Sequence, residues 1–369
     1  MNKNLNILIC PLEWGLGHAG RMIPLACKLR DMNNRIFIGA GEEHLSFFKT
    51  EVSGLSCIDF PGFSPGYSRF IPQYLILFLK TPLLIYFIIR DHFRLKRLIH
   101  DYSIDMVISD NRFGLWNKKI TSVYVTHMPL IPFPKALRLF EKTGILLHRQ
   151  IIKKYTFCFV PDLPGELNIS GRLSHGLKLP ENARYIGILS RFTDDTVAVQ
   201  RNSGKYLHNT VILSGPEPQR SILKKKVISV FKESKLPAVI LEGRPGKPAE
   251  VYKNGNLTFY SHLPASEMKE MITRSRSIIT RSGYSTIMEL ISLNRSALLI
   301  PTPGQTEQEY LAEYLAEKGW FKTVSQKNLK IDFPLPETNA IWSDEIITRS
   351  RKLLDEALTD LSEQCYKKT

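Results

Sequence analysis

Two glycine-rich turns, each placed between a strand pattern and a helix pattern, constrain the fold of this chain most. The first spans residues 11–20 and follows the apolar run at 5–10. The second spans residues 281–286 and follows the apolar run at 277–280. In a parallel sheet such turns lie at the carboxyl edge, where the N–H groups of a helix start can bind an anion. Two such edges predict two α/β domains that face each other across a cleft.

Strand-like and helix-like runs alternate along the chain, which is typical of parallel sheets with crossover helices. A length of 369 residues also favours two domains. The predicted fold class is therefore α/β, with two Rossmann-like domains. We place the first domain at residues 1–187, a linker at 188–206, the second domain at 207–343 and a C-terminal helix, which packs back on the first domain, at 344–369. Predicted strands are 5–10, 35–40, 106–109, 122–126, 156–160, 210–213, 238–241, 257–260, 277–280 and 297–300. Predicted helices are 18–31, 44–52, 71–100, 135–153, 219–233, 265–275, 282–293, 307–318 and 344–364.

The composition limits the compartment and the partners. The five cysteines form no CxxC pair and have no metal-ligand spacing, so we expect reduced thiols in a cytoplasmic protein. The first residues lead directly into a strand pattern without a signal-peptide core, which favours the same compartment. The net charge of +15 suggests an anionic lipid, nucleic acid or anionic substrate as partner. Because the basic residues are scattered and no recognition module is present, we expect no nucleic acid.

One segment, residues 74–89, is apolar around much of a helix and is followed by a basic run. Lys80 and Pro82 interrupt it well before the ~20 apolar residues that a membrane span requires. A helix of this kind can lie in the membrane interface or form part of a domain core. The sequence leaves both interpretations open.

The second glycine-rich turn has the chemistry of a phosphate site. Ser282 and Gly283 offer backbone N–H groups at a helix start, and Ser285 and Thr286 add hydroxyls. Glu289 lies further along the same helix and could accept hydrogen bonds from both ribose hydroxyls. An ordinary capped helix with a solvated glutamate is the alternative. The polar loop at 301–309, after the next strand, favours the ligand site.

These residues carry a family resemblance. Residues 280–290 (TRSGYSTIMEL) and 301–310 (PTPGQTEQEY) resemble the donor-nucleotide region of GT-B glycosyltransferases, most of all the family of the N-acetylglucosaminyltransferase of peptidoglycan synthesis. In that family the serine-glycine turn and helix start hold the diphosphate, a glutamate binds the ribose and paired glutamines contact the donor sugar. The resemblance implies these roles, in that order, for Ser282, Gly283, Ser285 and Thr286, for Glu289, and for Gln308 and Glu309. Glu309 replaces a glutamine, which leaves the sugar open.

The first turn resembles the same family, whose N-terminal glycine loop ends in a histidine. Here that loop contains Gly15, Gly17 and His18. An imidazole at the mouth of a cleft titrates near neutrality and could deprotonate an acceptor hydroxyl, although a helix-capping histidine is an open alternative. His127 resembles the family's acceptor-side histidine but lacks the Glu-Gln-Asn that follows it there. Asp110 ends a strand on the same edge; it could orient His18 or cap a turn, and we favour the turn.

Three looser matches complete the predicted donor site. Residues 185–191 resemble the interdomain segment whose arginine reaches the phosphates, which implies that role for Arg191. Ser214 and Gly215 resemble the first loop of the donor domain. Residues 260–264 occupy the place where the family holds the base through main-chain atoms, which implies a contact from Leu263.

The predicted function is an inverting, metal-independent glycosyltransferase. It would use a nucleotide-diphosphate sugar, with a UDP-sugar as the first candidate, as substrate rather than cofactor. The acceptor would be a hydroxyl at the inner face of the cytoplasmic membrane, on a lipid or a cell-envelope glycan. Asp194 and Asp195 are adjacent and lack the DxD spacing of a metal-dependent donor site. A nucleotide-sugar epimerase or hydrolase on the same fold and a non-catalytic nucleotide-sugar-binding protein are the alternatives. Gly15, Gly17 and Gly20 also match a dinucleotide-binding pattern, but four residues separate the strand from the first glycine, which disfavours a dehydrogenase.

Overall fold

A computed structural model describes residues 4–192, 208–234, 236–244, 250–330 and 343–368. The first half contains β1 (Asn6–Cys10), α1 (Leu16–Asp31), β2 (Arg35–Ala40), α2 (Glu42–Glu51), β3 (Ser56–Asp59), α3 (Gln73–Leu79), α4 (Thr81–Asp101), β4 (Met106–Asp110), β5 (Thr121–Val125), α5 (Glu141–Ile152), β6 (Phe157–Val160) and β7 (Ala183–Tyr185). Short 3-10 turns lie at Lys135–Phe140 and Gly171–Leu173.

The second half contains β8 (His208–Ile212), α6 (Gln219–Ser234), β9 (Ala238–Leu241), β10 (Val251–Asn254), β11 (Leu257–Tyr260), α7 (Ala265–Thr273), β12 (Ser275–Thr280), α8 (Tyr284–Ser292), β13 (Leu298–Leu299), α9 (Thr306–Glu317), β14 (Lys322–Thr323) and α10 (Ser343–Lys368). A 3-10 turn lies at Gln326–Asn328.

Each half is built on one sheet of seven strands. The first has the order β3-β2-β1-β4-β5-β6-β7 and is parallel throughout. The second has the order β10-β11-β9-β8-β12-β13-β14, and only β10 is antiparallel within it. The central strands β4 and β5 are buried at every residue, as expected for strands with helices on both faces. The predicted α/β class with two Rossmann-like sheets is confirmed.

Four strands were not predicted, and all four lie at or beside the edge of a sheet. β3 and β7 close the first sheet, and β10 and β14 close the second. They are only two to four residues long, and β10 is exposed at every position. Edge strands lack the continuous apolar run of a strand that is covered on both faces, so the pattern that identified the central strands is missing there.

The single helix predicted at 71–100 is wrong, because the structure divides it into α3 and α4. The two helices meet at Lys80 with a bend of 65°, and Pro82 lies in the first turn of α4. Proline is accepted there because the N–H it lacks has no partner inside the helix. Among the described residues no single helix is long and apolar enough to cross a membrane, and α3 with α4 satisfies that test only as a bent pair.

The C-terminal helix α10 lies against the first half of the chain. Lys28 Nζ is 2.6 Å from Asp355 Oδ1, and Ile188 N donates to Ser350 Oγ at 3.0 Å. Gly187, with φ at +75°, passes so close to Ser350 that a Cβ atom there would lie 2.3 Å from the Ser350 Cα. Of the predicted linker, residues 188–192 are described and 193–206 are outside the described residues.

Candidate active site

A cleft of about 390 Å³ separates the carboxyl edges of the two sheets. Its first wall includes Glu13, Trp14, Gly15, Gly17, Gly20, Phe47 and Tyr67. Its second wall includes Ser214, Gly215, Gly243, His262, Ser285, Thr286 and Glu289, with Arg191 beside them. The two glycine-rich turns that the sequence singled out therefore share one groove. Ligands of open α/β sheets bind at this kind of edge.

The start of α8 presents backbone donors to the cleft. Gly283 is the N-cap residue, and the first backbone bond of the helix runs from Ile287 N to Gly283 O at 3.0 Å. The N–H groups of residues 284–286 precede that bond, so they are oriented as donors for an anion. Ser285 and Thr286 line the cleft. Ser282 is buried, and its Oγ donates to Gln308 O at 2.7 Å, so this hydroxyl holds the turn itself.

The two walls come close to each other at Gly17. A Cβ atom at this position would lie 3.2 Å from both Cβ and Oγ of Ser285. One turn further along α1, a Cβ at Gly20 would lie 3.7 Å from Glu289 Oε1. The glycines therefore allow the backbone of α1 to pass directly over the start of α8, which brings the first turn to the second.

Arg191 and Glu289 form an ion pair within the cleft. Arg191 Nε donates to Glu289 Oε1 at 2.8 Å, and Arg191 Nη1 is 3.4 Å from Glu51 Oε1 on α2. Burial raises the pKa of Glu51, and the guanidinium opposes that rise. The predicted phosphate arginine and the predicted ribose carboxylate thus neutralise each other in this structure. A diphosphate and a ribose would each replace one half of the pair.

Three predicted donor residues do not line the cleft, although the contact predicted for Leu263 is a main-chain contact and stays a prediction. Gln308 is buried, and its Oε1 accepts from Thr302 N at 2.9 Å. Glu309 Oε1 accepts from Gly304 N at 2.9 Å, and the Leu263 side chain is buried in the core. Gln308 and Glu309 shape the loop before α9, while the neighbour of Leu263, His262, lines the cleft. A contact of either α9 side chain with a sugar remains a prediction.

His18 is held by a carboxylate. Its Nδ1 lies 2.9 Å from Asp110 Oδ2, and 18% of its side chain is exposed. The interpretation of Asp110 as a turn cap is therefore wrong; Asn111, at φ +52°, makes the turn, and Asp110 points to His18. Burial lowers the pKa of His18, Arg21 lowers it further and Asp110 opposes both. The lowered pKa favours the neutral imidazole, the form that a general base requires.

Arg21, which the sequence interpretation missed, lies at the centre of this cluster. Its side chain is buried, its Nε donates to Asp110 Oδ2 at 2.9 Å and its Nη2 forms a short ion pair with Asp110 Oδ1. Burial would raise the pKa of Asp110, but Arg21 and His18 lower it to about 2. Arg21 Nη1 also lies 3.0 Å from His127 Nδ1. The sequence alone could have identified Arg21 as a neighbour of His18, because it lies three residues later on the same helix and residues three apart share a helix face.

His127 connects the cluster to the second half of the chain. Its Nε2 lies 2.8 Å from Oε1 of Glu307, in the first turn of α9, and its ring stacks on Tyr284 at 4.1 Å. Burial would raise the pKa of Glu307, but His127 lowers it below its usual value. Glu307 and Tyr284 were not identified from the sequence, because nothing local in either half marks a contact between residues so far apart in the chain. His127 and Glu307 are 180 positions apart. His127 thus lies between the halves and is buried.

Within the described ranges, no group of three or more His, Cys, Asp or Glu side chains is arranged to hold a metal ion. Asp194 and Asp195, which the sequence analysis considered and set aside, lie outside the described residues.

Comparison with known proteins points to one enzyme class. Residues 230–337 match the glycosyltransferase family 28 C-terminal domain. The UDP-N-acetylglucosamine–N-acetylmuramyl-(pentapeptide) pyrophosphoryl-undecaprenol N-acetylglucosamine transferase of Sulfurihydrogenibium is 23% identical over 158 residues, which cover 42% of this chain and 44% of that protein. An uncharacterized glycosyltransferase of Methanosarcina mazei is 22% identical over 245 residues, or 63% of each chain. The matched segments thus span less than two thirds of either relative.

The fold extends the likeness to the whole chain. The glycosyltransferase SnogD from Streptomyces nogalater superimposes with a TM-score of 0.62 over 99% of this chain and 98% of its own, at 13% identity. At that identity the likeness shows the fold alone. It agrees with the two facing sheets and the cleft between them.

Proposed function

We propose that this chain, with its family 28 C-terminal domain on a two-sheet fold shared with solved glycosyltransferases, transfers a sugar from a nucleotide diphosphate to an acceptor hydroxyl. The observation that carries the proposal is the shared groove. A helix start with free donors belongs to one wall, and Gly15 and Gly17 of the first glycine-rich loop belong to the other. The next residue, His18, is held by a carboxylate. The name of the Sulfurihydrogenibium relative favours a UDP-linked sugar, with UDP-N-acetylglucosamine as the first candidate.

The donor would bind along the second wall. The N–H groups at the start of α8 and the hydroxyls of Ser285 and Thr286 would hold the diphosphate, with Arg191 released from Glu289 to neutralise its charge. Glu289 would then accept hydrogen bonds from the ribose. The base would lie near Gly243 and His262, at the same wall of the cleft.

The chemistry would be a single displacement. His18 Nε2 takes the proton of the acceptor hydroxyl, the oxygen forms a bond to the anomeric carbon of the sugar, and the bond from that carbon to the diphosphate breaks. The configuration inverts, because the new bond forms on the face opposite the leaving group. Arg191 and the α8 donors stabilise the negative charge on the leaving diphosphate, a role that a metal ion fulfils in other enzymes. The proposed reaction is independent of metal.

The acceptor would reach the cleft from an apolar surface. Phe78 is 75% exposed and Leu79 64% exposed, so the interpretation of residues 74–89 as domain core is wrong. The segment that leads into α3 lies at the cleft, since Gly66 and Tyr67 line it. The start of α3 also approaches the second half of the chain, since a Cβ at Gly304, in the loop before α9, would lie 3.4 Å from Pro72 Cβ. Exposed Lys96 and Arg97 follow on α4. An apolar face with adjacent cations suits an anionic membrane surface and hence a lipid-linked acceptor.

The direct experiment combines donor binding with turnover. We expect UDP and UDP-N-acetylglucosamine to raise the melting temperature of the full chain, because a ligand that binds only the folded state stabilises it. With a lipid-linked acceptor, sugar transfer should continue in EDTA. The variant His18→Ala should lose at least about a hundredfold in kcat, the range expected for loss of a general base.

His100→Ala is the matched control, because His100 is exposed on α4, and it should transfer sugar at the wild-type rate. Near-normal turnover of His18→Ala, or a requirement for Mn²⁺, would contradict the proposed mechanism. Release of free sugar without any acceptor would instead indicate a hydrolase on the same scaffold.

A further inference from the structure

We propose that Arg21 is a positioning residue that keeps His18 neutral and selects the tautomer in which Nε2 is free to accept a proton. The inference rests on the proposed role of His18 as general base. Arg21 belongs to the same helix as His18 and is buried, so it is not a candidate for direct contact with the substrate.

The first step concerns His127, whose protonation the geometry fixes. A guanidinium only donates hydrogen bonds, so the nitrogen of His127 that lies 3.0 Å from Arg21 Nη1, its Nδ1, must accept. The ring proton is therefore on Nε2, where it donates to Glu307 Oε1 at 2.8 Å. Arg21 thus donates to His127, and His127 donates to Glu307, so the donor and the acceptor of each hydrogen bond are assigned.

The second step concerns Asp110, which accepts from Arg21 twice. Arg21 Nε donates to Oδ2 at 2.9 Å, and Nη2 donates to Oδ1. A two-bond contact of this kind fixes the carboxylate plane and balances its charge. Without that balance, a buried carboxylate beside an imidazole would favour the imidazolium, and a protonated His18 could not act as a base.

The third step concerns His18 Nδ1, which has two neighbours at the same distance. Asp110 Oδ2 and Arg21 Nη2 both lie 2.9 Å away. Donation from Nδ1 to Asp110 leaves Nε2 unprotonated and able to accept a proton; acceptance from Arg21 would place the ring proton on Nε2 and block it. Unlike His127 Nδ1, this nitrogen also faces a carboxylate, which only accepts, and an unprotonated Nδ1 would place two lone pairs 2.9 Å apart. We therefore assign the Nδ1 proton to the bond with Asp110, whose carboxylate Arg21 holds in place with two contacts.

The test is a pH titration of His18 by NMR, with nitrogen-15 in the histidine rings of the full chain. The titratable and charged groups that face His18 are Arg21 on its own helix, Asp110 at the end of β4, His127 after β5 and Glu307 on α9. In the wild type we expect the Nδ1-protonated tautomer and a midpoint below the usual value of about 6.5. In Arg21→Met the midpoint should rise by about one unit or more, a tenfold increase in proton affinity.

Two further variants keep the result interpretable. Arg21→Lys retains the charge but not the two-bond contact, so its midpoint should lie closer to the wild type while the tautomer ratio changes; it also serves if the methionine variant does not fold. Arg349→Met removes the same charge from an exposed site on α10 and should leave the His18 titration unchanged. A midpoint that stays or falls in Arg21→Met, or a wild-type His18 with unprotonated Nδ1, would overturn the inference.

The titration needs no substrate, so its outcome is separate from that of the proposed function. If the midpoint moves as expected but the acid limb of kcat/KM for sugar transfer does not move with it, the role of Arg21 stands and His18 is not the base. If both move to higher pH together, one residue sets the state of the base and the pH range in which the enzyme works.

Discussion

At the scale of single residues, Gly17 shows how little space separates the two walls of the cleft. Its missing Cβ would lie 3.2 Å from Cβ and Oγ of Ser285, a contact tighter than nine in ten real ones. In Gly17→Ala, Ser285 has to shift by a few tenths of an ångström at the start of α8. We therefore expect donor affinity to fall at least severalfold. The close contact lowers the free energy of unfolding, but alanine is favoured over glycine in a helix by up to about 1 kcal/mol. The two effects oppose each other, so the stability of the fold should be nearly unchanged. Calorimetric titration with UDP measures the first effect and thermal unfolding the second.

Gly144→Ala is the matched control, because Gly144 is also helical, and a Cβ there would lie 3.4 Å from Phe133 Cε2, an ordinary contact. It should bind UDP as the wild type does. If Gly17→Ala also binds UDP normally, the close approach of α1 to α8 is not part of the donor site.

At the scale of elements, α3 and α4 carry an extended exposed apolar surface. Their exposed side chains include Phe78, Leu79, Tyr86 and Ile89, each more than half exposed. The double variant Phe78→Glu with Leu79→Glu should bind vesicles that contain anionic lipid at least tenfold more weakly. Burial of each side chain in the membrane would otherwise contribute about 1.5–3 kcal/mol. Cosedimentation measures the binding, and the melting temperature should not change because neither residue is buried.

Val251→Glu supplies the control, since Val251 is 57% exposed on the edge strand β10 in the other half. Its vesicle binding should equal that of the wild type. Equal binding by the double variant would remove the membrane role of α3 and α4 and leave the acceptor to be sought among soluble glycans.

At the scale of the whole molecule, the sequence predicted what depends on local pattern. The central strands and the helix start after Gly283 could be found because apolar runs and turn residues lie next to each other in the chain. The contacts of Arg21 with Asp110 and of His127 with Glu307 could not, because they join residues 89 and 180 positions apart. Asp110 illustrates the difference: a turn was the natural local interpretation, and only the fold brings His18 within reach.

The most direct test of the account is a crystal structure of the full chain with UDP bound. We predict that the diphosphate lies against the N–H groups and hydroxyls of Ser285 and Thr286, that Arg191 turns from Glu289 to the phosphates, and that Glu289 contacts the ribose. His18 should lie across the groove from the β-phosphate, still bonded to Asp110. Nucleotide bound away from the start of α8, or bound there with the glycine loop of α1 facing a separate surface, would contradict the account.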